Sequence, residues 1–163
     1  MKERLADFRN VLLGSCLRHY AQRLVSLAVF GSWAREAATP QSDIDVLLVA
    51  RDLPDGRLKR VAEFEEVETE TLVARRNVWP EFKVASEISP VVKTPEEVAA
   101  GSPLFLDMTC RCDILFDRDR FLEQYLRGLG ARMAALGSTR HARKGGYYWE
   151  YKPGIRPAEV VSL

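Results

Sequence analysis

The chain has 163 residues, with 24 Lys and Arg against 23 Asp and Glu for a formal net charge of +1, a length that suits one domain with a substantial core and leaves little room for two. That balance argues against a protein held to extended nucleic acid by a broad basic field, and no apolar run reaches the roughly 20 residues of a membrane-spanning helix. Cys16, Cys110 and Cys112 are an odd number without a framework spacing and without a signal peptide before them, which points to a reduced, cytoplasmic protein.

Residues 2–24 read as an amphipathic helix, because Leu5, Phe8, Leu12, Cys16 and Tyr20 recur at intervals of three or four with polar residues between. Gly14-Ser15 weakens the case for one unbroken rod, and His19 reads as a structural or solvated helix residue. Residues 27–30 are a short apolar run closed by Gly31-Ser32, the pattern of a buried strand ending in a tight turn. One or two helical turns follow from Trp33, and Thr39-Pro40 breaks them. A second strand begins at Asp43 and continues through Val46, Leu47, Leu48, Val49 and Ala50.

Aspartate is depleted in strands, so Asp43 and Asp45 at the head of this one need a reason. The period of two sends both to one face, with α-carbons roughly 6–7 Å apart. Their oxygens can then meet at one hard cation or bridge two. Gly31 permits close backbone approach, Ser32 offers a hydroxyl and an N–H, and the turn after it points N–H groups at a bound anion. Two strands thus enclose a combined phosphate and metal site.

The loop of residues 52–56 is followed by a charged helix over 57–77 with Leu58, Val61 and Phe64 on its packing stripe. Its run of Glu63, Glu65, Glu66, Glu68 and Glu70 reads as a solvated face or, alternatively, as a partner surface. Trp79-Pro80 ends that helix. Residues 82–92 alternate as a strand, with Pro90 marking an edge or a bulge. Thr94, Pro95 and Glu97 form a helix start with a capping box. Asp107, between Leu106 and Met108, reads as an N–H acceptor or a paired core acid. Residues 112–116 are a further strand, and Asp117 caps a last helix whose buried stripe is Leu122, Leu126, Leu129 and Met133. Cys110 and Cys112 lack nearby metal-binding partners and read as packing. Over residues 140–152, basic residues alternate with Tyr147, Tyr148, Trp149 and Tyr151. This is either an arm burying alternate aromatics on the sheet or a set of stacking and phosphate contacts, with Arg140, Arg143 and Lys144 as candidates to hold an acceptor or partner.

Gly31-Ser32, ten residues, then Asp43-Ile44-Asp45 resembles the signature of the polymerase-beta-like nucleotidyltransferases, above all their small stand-alone prokaryotic members. Arg35 after the Gly-Ser pair and Ser42 before the first aspartate fit as flanks, whereas Glu36 stands where many members have glycine. Residues 91–98, 102–108, 114–117 and 146–153 also look like this group.

The resemblance implies an α+β nucleotidyltransferase fold, a mixed sheet of about four to five strands with helices packed mainly on one face. Length and the order of elements lead us to expect a single domain over residues 1–163: an N-terminal helix over about 2–24, a catalytic core over about 26–117, and a C-terminal helix and arm over about 118–163. Asp43 and Asp45 would hold Mg2+, and Gly31, Ser32, Arg35 and Ser42 would bind the nucleoside triphosphate, ATP or another. Glu87 would be the third catalytic carboxylate, with Glu81 as a substitute and a solvent-facing strand residue as the alternative. The expected reaction moves a nucleoside monophosphate to a hydroxyl of a small-molecule or protein acceptor whose identity the sequence leaves open. The alternative is an antitoxin-like regulatory partner of a helical toxin-type protein.

Overall fold

The computed structural model describes residues 2–35, 37–38, 42–78, 87–144 and 146–155. Glu36, Thr39-Pro40, Trp79-Pro80, Glu81 and the first part of the strand expected over 82–92 lie outside the described residues.

Two strands form the centre. β1 (Leu24–Val29) is buried throughout, and β2 (Ile44–Ala50) is buried except at Asp45, as expected of strands covered on both faces. They pair antiparallel, with Val29 opposite Val46. β3 (Ile88–Lys93) adds parallel to β2, and β4 (Asp113–Asp117) adds antiparallel to β1, giving the order β3-β2-β1-β4. Pro90 sits on β3, an edge strand, where its missing N–H leaves no gap in the ladder. The sheet is mixed and four-stranded, within the expected α+β architecture.

The helices depart from the expected one-sided arrangement. Leu24, Leu27, Val29, Ile44, Val46, Leu48 and Ala50 share a buried cluster with Phe8, Leu12, Cys16 and Tyr20 of α1 (Lys2–Tyr20) and with Phe64 and Val67 of α3 (Arg57–Val78). Val25, Ala28, Leu47 and Val49 belong to a second cluster. It draws in Val98 of α4 (Pro95–Ala99), Phe105, Leu106 and Met108 of α5 (Pro103–Cys110), and Leu122, Leu126, Leu129 and Met133 of α6 (Phe121–Leu136). Helices therefore cover both faces, because two central strands that are apolar on both sides leave two surfaces to bury. Each fully buried leucine or valine contributes about 1.5–3 kcal/mol relative to exposure.

Several local expectations are corrected. α1 stops at Tyr20, and after a 3-10 turn carrying Ala21 at φ 48 the chain enters β1 at Leu24, two residues before the expected start of the core. Gly14-Ser15 does not break α1. Leu58 is 86% exposed, and the buried stripe of α3 runs instead through Phe64, Val67 and Thr71. The glutamates of α3 are not merely solvated. Glu63 pairs with Arg23 at 2.6 Å, Glu70 pairs with Arg18, and His19 approaches Glu63 and Glu66, so that α3 is tied to α1 and the turn after it on one face of the sheet.

Other expectations hold. Thr94 and Glu97 form a reciprocal capping box on α4, with Pro95 at the first helical position. Asp117 accepts from the backbone N–H of Leu122 and Glu123 at 2.9 and 3.0 Å and from Ser26 Oγ at 2.6 Å, which fastens α6 to β1 and β4. The C-terminal arm is an antiparallel hairpin of β5 (Thr139–Arg143) and β6 (Gly146–Glu150), separate from the main sheet.

Candidate active site

The site lies at the end of the sheet where β1 finishes and β2 begins. Phe30 N–H donates to the Asp45 carbonyl at 3.0 Å, which holds the first residue after β1 against the head of β2. The chain then makes one helical turn, α2 (Gly31–Ala34), entered through Gly31 at φ +67. This is a left-handed conformation that only glycine adopts without strain. A second constraint acts at the same position. A Cβ on Gly31 would stand 2.9 Å from Asp45 Cγ and closer still to its Oδ2. The Asp45 carboxylate therefore lies directly against the Gly31 backbone, and the two halves of the sequence motif are in contact.

Leu47 and Val49 face the α4–α6 cluster, so the strand's period of two sets Asp45 at the mouth of that same face. Asp43 immediately precedes β2 and is exposed. Burial pushes the Asp45 carboxyl above the usual carboxylate range, the neighbouring Asp43 charge pushes it further, and Arg35 opposes both. Two carboxylates held together at partial desolvation repel each other, and a hard cation relieves that repulsion. The donor set fits Mg2+, which takes one or two protein carboxylates and completes its shell with water and phosphate oxygens.

Trp33 is a residue that sequence reasoning missed. Its indole is 7% exposed in the α1–α3 cluster, and Nε1 donates to the Ser42 carbonyl at 3.1 Å. It staples the turn after Gly31 to the segment entering β2, which fixes the distance between the Gly-Ser end and the aspartate end of the motif. The available signal was a tryptophan directly after Gly31-Ser32. Ser32 is half-buried, and its carbonyl accepts from Ala37 N–H at 3.0 Å. Arg35 is exposed at the end of α2, and Ser42 is half-buried beside Asp43.

Glu87 is exposed next to the start of β3, and its carbonyl accepts from Ile44 N–H at 2.9 Å. Ile44 pairs with Ile88 and Asp45 with Ser89, so Glu87 stands on the neighbouring strand at the level of Asp43. Among the described residues no group of three His, Cys, Asp or Glu side chains converges as a metal cage; the structure unites Asp43 with Asp45 and leaves Glu87 beside them.

On the same sheet face, Asp107 of α5 accepts from the Tyr147 hydroxyl and, at 2.9 Å, from Trp149 Nε1. Asp107 is thus the acceptor expected from its sequence position, and its donors come from the hairpin. Of the aromatics there, Trp149 packs against the α4–α6 cluster while Tyr147 and Tyr148 stay 38% and 53% exposed. The arm buries only part of its aromatic set.

The cysteines are free, with Cys16 buried in the core and Cys110 exposed. No helix among the described residues is long and apolar enough to cross a membrane.

The family model for the nucleotidyltransferase domain matches residues 10–97, just over half of the chain. A protein of Methanocaldococcus jannaschii, provisionally named a protein adenylyltransferase, is 28% identical over 124 residues, spanning 75% of this chain and 78% of the relative. A crystal structure of a toxin–antitoxin with AMP-PNP superimposes with a TM-score of 0.51 at 18% identity, covering 78% of this chain and 93% of that one. A mutant of the MntA–HpeT toxin–antitoxin pair gives 0.49 at 16% identity, over 79% and 92%. The first of these likenesses is of fold. The matched residues take in Gly31, Ser32, Asp43, Asp45 and Glu87, and with that match the chain belongs to the nucleotidyltransferase domain family and is a nucleotidyltransferase.

Proposed function

We propose that the protein binds ATP with Mg2+ and transfers AMP to a hydroxyl of an acceptor, with a protein acceptor favoured by the name of its archaeal relative. The observation that supports this reading is the contact between Gly31 and the Asp45 carboxylate, which would put a phosphate-binding turn directly against one of the two metal-binding carboxylates. Asp43 and Asp45 would hold the metal. Bound Mg2+ supplies charge neutralisation on the phosphate oxygens and acidifies the attacking hydroxyl.

The chain's own residues do the positioning. Gly31 lets the backbone approach the polyphosphate closely, Ser32 offers a hydroxyl and an N–H to it, and Arg35 offers a cation at its edge. Ser42 holds the approach to Asp43 through its carbonyl bond with Trp33. Glu87, at the level of Asp43, is the proposed third carboxylate and would take the proton from the acceptor hydroxyl. The protein functions as a single domain over residues 1–163 in the cytoplasm.

A second reading, an antitoxin-like partner with little or no turnover, draws on the toxin–antitoxin neighbour of like fold. One experiment separates the two. Calorimetry with a panel of nucleoside triphosphates and Mg2+, on the wild type and on folded Asp43→Asn and Asp45→Asn variants, should show ATP binding that the variants and a chelator abolish. Radiolabelled ATP should then mark an acceptor in a cell extract. No binding of any triphosphate overturns the enzymatic reading and favours the partner protein.

A further inference from the structure

The C-terminal hairpin contributes more than a cover for the sheet. Residues opposite each other across an antiparallel pair share a face, so the pairs Arg140 with Trp149 and Ala142 with Tyr147 form one face, and His141 with Tyr148 the other. The first face points at α5, because both Tyr147 and Trp149 donate to Asp107. Trp149 also packs against the cluster that contains Phe30 and Leu47, each two residues or fewer from Gly31 or Asp45. The hairpin is therefore docked on the carboxylate-bearing face of the sheet.

On this docked face the Arg140 guanidinium carbon lies 3.6 Å from the centre of the Tyr147 ring. A phenol that donates its proton to a carboxylate is richer in π-electron density, which strengthens its hold on a cation. Arg35, at the end of α2, acts electrostatically on both the Tyr147 hydroxyl and Asp45. Two exposed guanidinium groups are thus drawn toward one hydroxyl from opposite elements, and among the described residues neither forms an ion pair with a carboxylate. Guanidinium groups left outside any ion pair, beside carboxylates suited to a metal ion, match a metal-bound polyanion.

We propose that Arg140 is a phosphate-binding residue of the nucleotide site, engaging the β- and γ-phosphates from the side opposite α2, and that the contact of Asp107 with Tyr147 and Trp149 positions it. This rests on the nucleotidyl-transfer reading above and adds to it a binding group from outside the matched 10–97 region. The β- and γ-phosphates leave as pyrophosphate, so Arg140 would favour both substrate binding and departure of that group.

The test is calorimetry with Mg-ATP and, separately, with inorganic pyrophosphate and Mg2+, each variant checked by thermal melting. Arg140→Ala should weaken both ligands by about tenfold or more, the worth of a charge-assisted hydrogen bond, and Arg140→Lys should recover part of the loss. Tyr147→Phe keeps the ring and removes the bond to Asp107, so it should weaken binding by less than Arg140→Ala. Arg143→Ala, on the opposite face of the hairpin, should leave both affinities at wild-type values. Wild-type affinity in a folded Arg140→Ala protein, or an equal loss from Arg143→Ala, overturns the proposal while the nucleotide site stands. A wild type that binds neither ligand overturns both readings.

Discussion

Gly31→Ala probes the contact on which the site depends. The substitution places a methyl group where φ is +67, which costs an L-residue about 1–2 kcal/mol. The new Cβ also stands 2.9 Å from Asp45 Cγ and nearer to Oδ2. Asp45 must leave its rotamer, at about 0.5–1.5 kcal/mol. Together these predict a destabilisation of about 1.5–3.5 kcal/mol, or a melting temperature lower by about 3–14 °C for a chain of this size. The functional loss should be larger, since moving a reacting group by about 1 Å can cost about a hundredfold in rate. Thermal melting, Mg-ATP calorimetry and a transfer assay read the three quantities. The steric part is separable: in an Asp45→Ala background the carboxylate is gone, so Gly31→Ala should cost about 1 kcal/mol less than it does in the wild type. A Gly31→Ala protein that melts with the wild type and keeps its transfer rate, or strict additivity in the double mutant, would refute the argument.

Asp45 has a carboxyl pKa raised in the fold, so its ionised form destabilises the folded state as pH rises through the ordinary carboxylate range. Asp45→Asn should melt above the wild type at pH 7, with the difference vanishing near pH 3 and transfer abolished throughout; a lower melting point at pH 7 contradicts this. Glu97 shows the opposite sign, because the Arg60 hydrogen bond and the Thr94 N–H hold its carboxyl below the usual range. Its contribution is present at neutral pH and lost as the solution is acidified through that lowered pKa. Glu97→Gln should therefore lower the melting point at pH 7 and by progressively less as the solution is acidified, while Thr94→Ala should cost about 1 kcal/mol at either extreme through the lost cap. Burial pushes the Cys16 thiol up to about 12 and the Cys112 thiol up to about 11. Alkylation of the native protein at pH 8 should mark the exposed Cys110 and spare Cys16 until denaturant is added, as peptide mapping would show.

Local chemistry was legible where it depends on spacing along the chain. The capping box at Thr94, the Asp117 cap and the stripe Leu122, Leu126, Leu129 and Met133 each rest on residues a few positions apart, and each appears as read. The Gly-Ser to Asp-x-Asp motif was legible for a related reason: its fixed spacing encodes a strand, one turn and a returning strand. Sidedness was not. The runs in β1 and β2 are apolar at successive positions, and such a run does not reveal which helices lie on which face. Leu58 fits a helical stripe on paper, yet in the first turn of α3 it stays exposed. The bond from Trp33 to the Ser42 carbonyl involves a backbone oxygen, which no residue-type pattern marks.

A whole-chain charge of +1 bears on broad fields and says little about a small site. The fold distributes the charges unevenly. Arg18 and Arg23 pair with glutamates of α3, Arg9 pairs with Asp113, and Arg60 with Glu97. Charges so paired cancel beyond a Debye length of about 8 Å at physiological salt. Arg35 and Arg140 form no such pair among the described residues and stand on the Asp45 side of the sheet, so the local field there is set by two guanidinium groups and the carboxylates of Asp43, Asp45 and Asp107. That mixture is poor for a long phosphate backbone and well matched to a metal-bound triphosphate, whose cation meets the carboxylates while its terminal oxygens meet the arginines. The salt dependence follows from the number of phosphates contacted. Mg-ATP affinity should fall only gently between 50 and 200 mM salt, in contrast to the drop of about a thousandfold or more for proteins contacting six to ten phosphates of a duplex. A steep loss over that range would show that a wide basic surface, and not these few groups, holds the ligand.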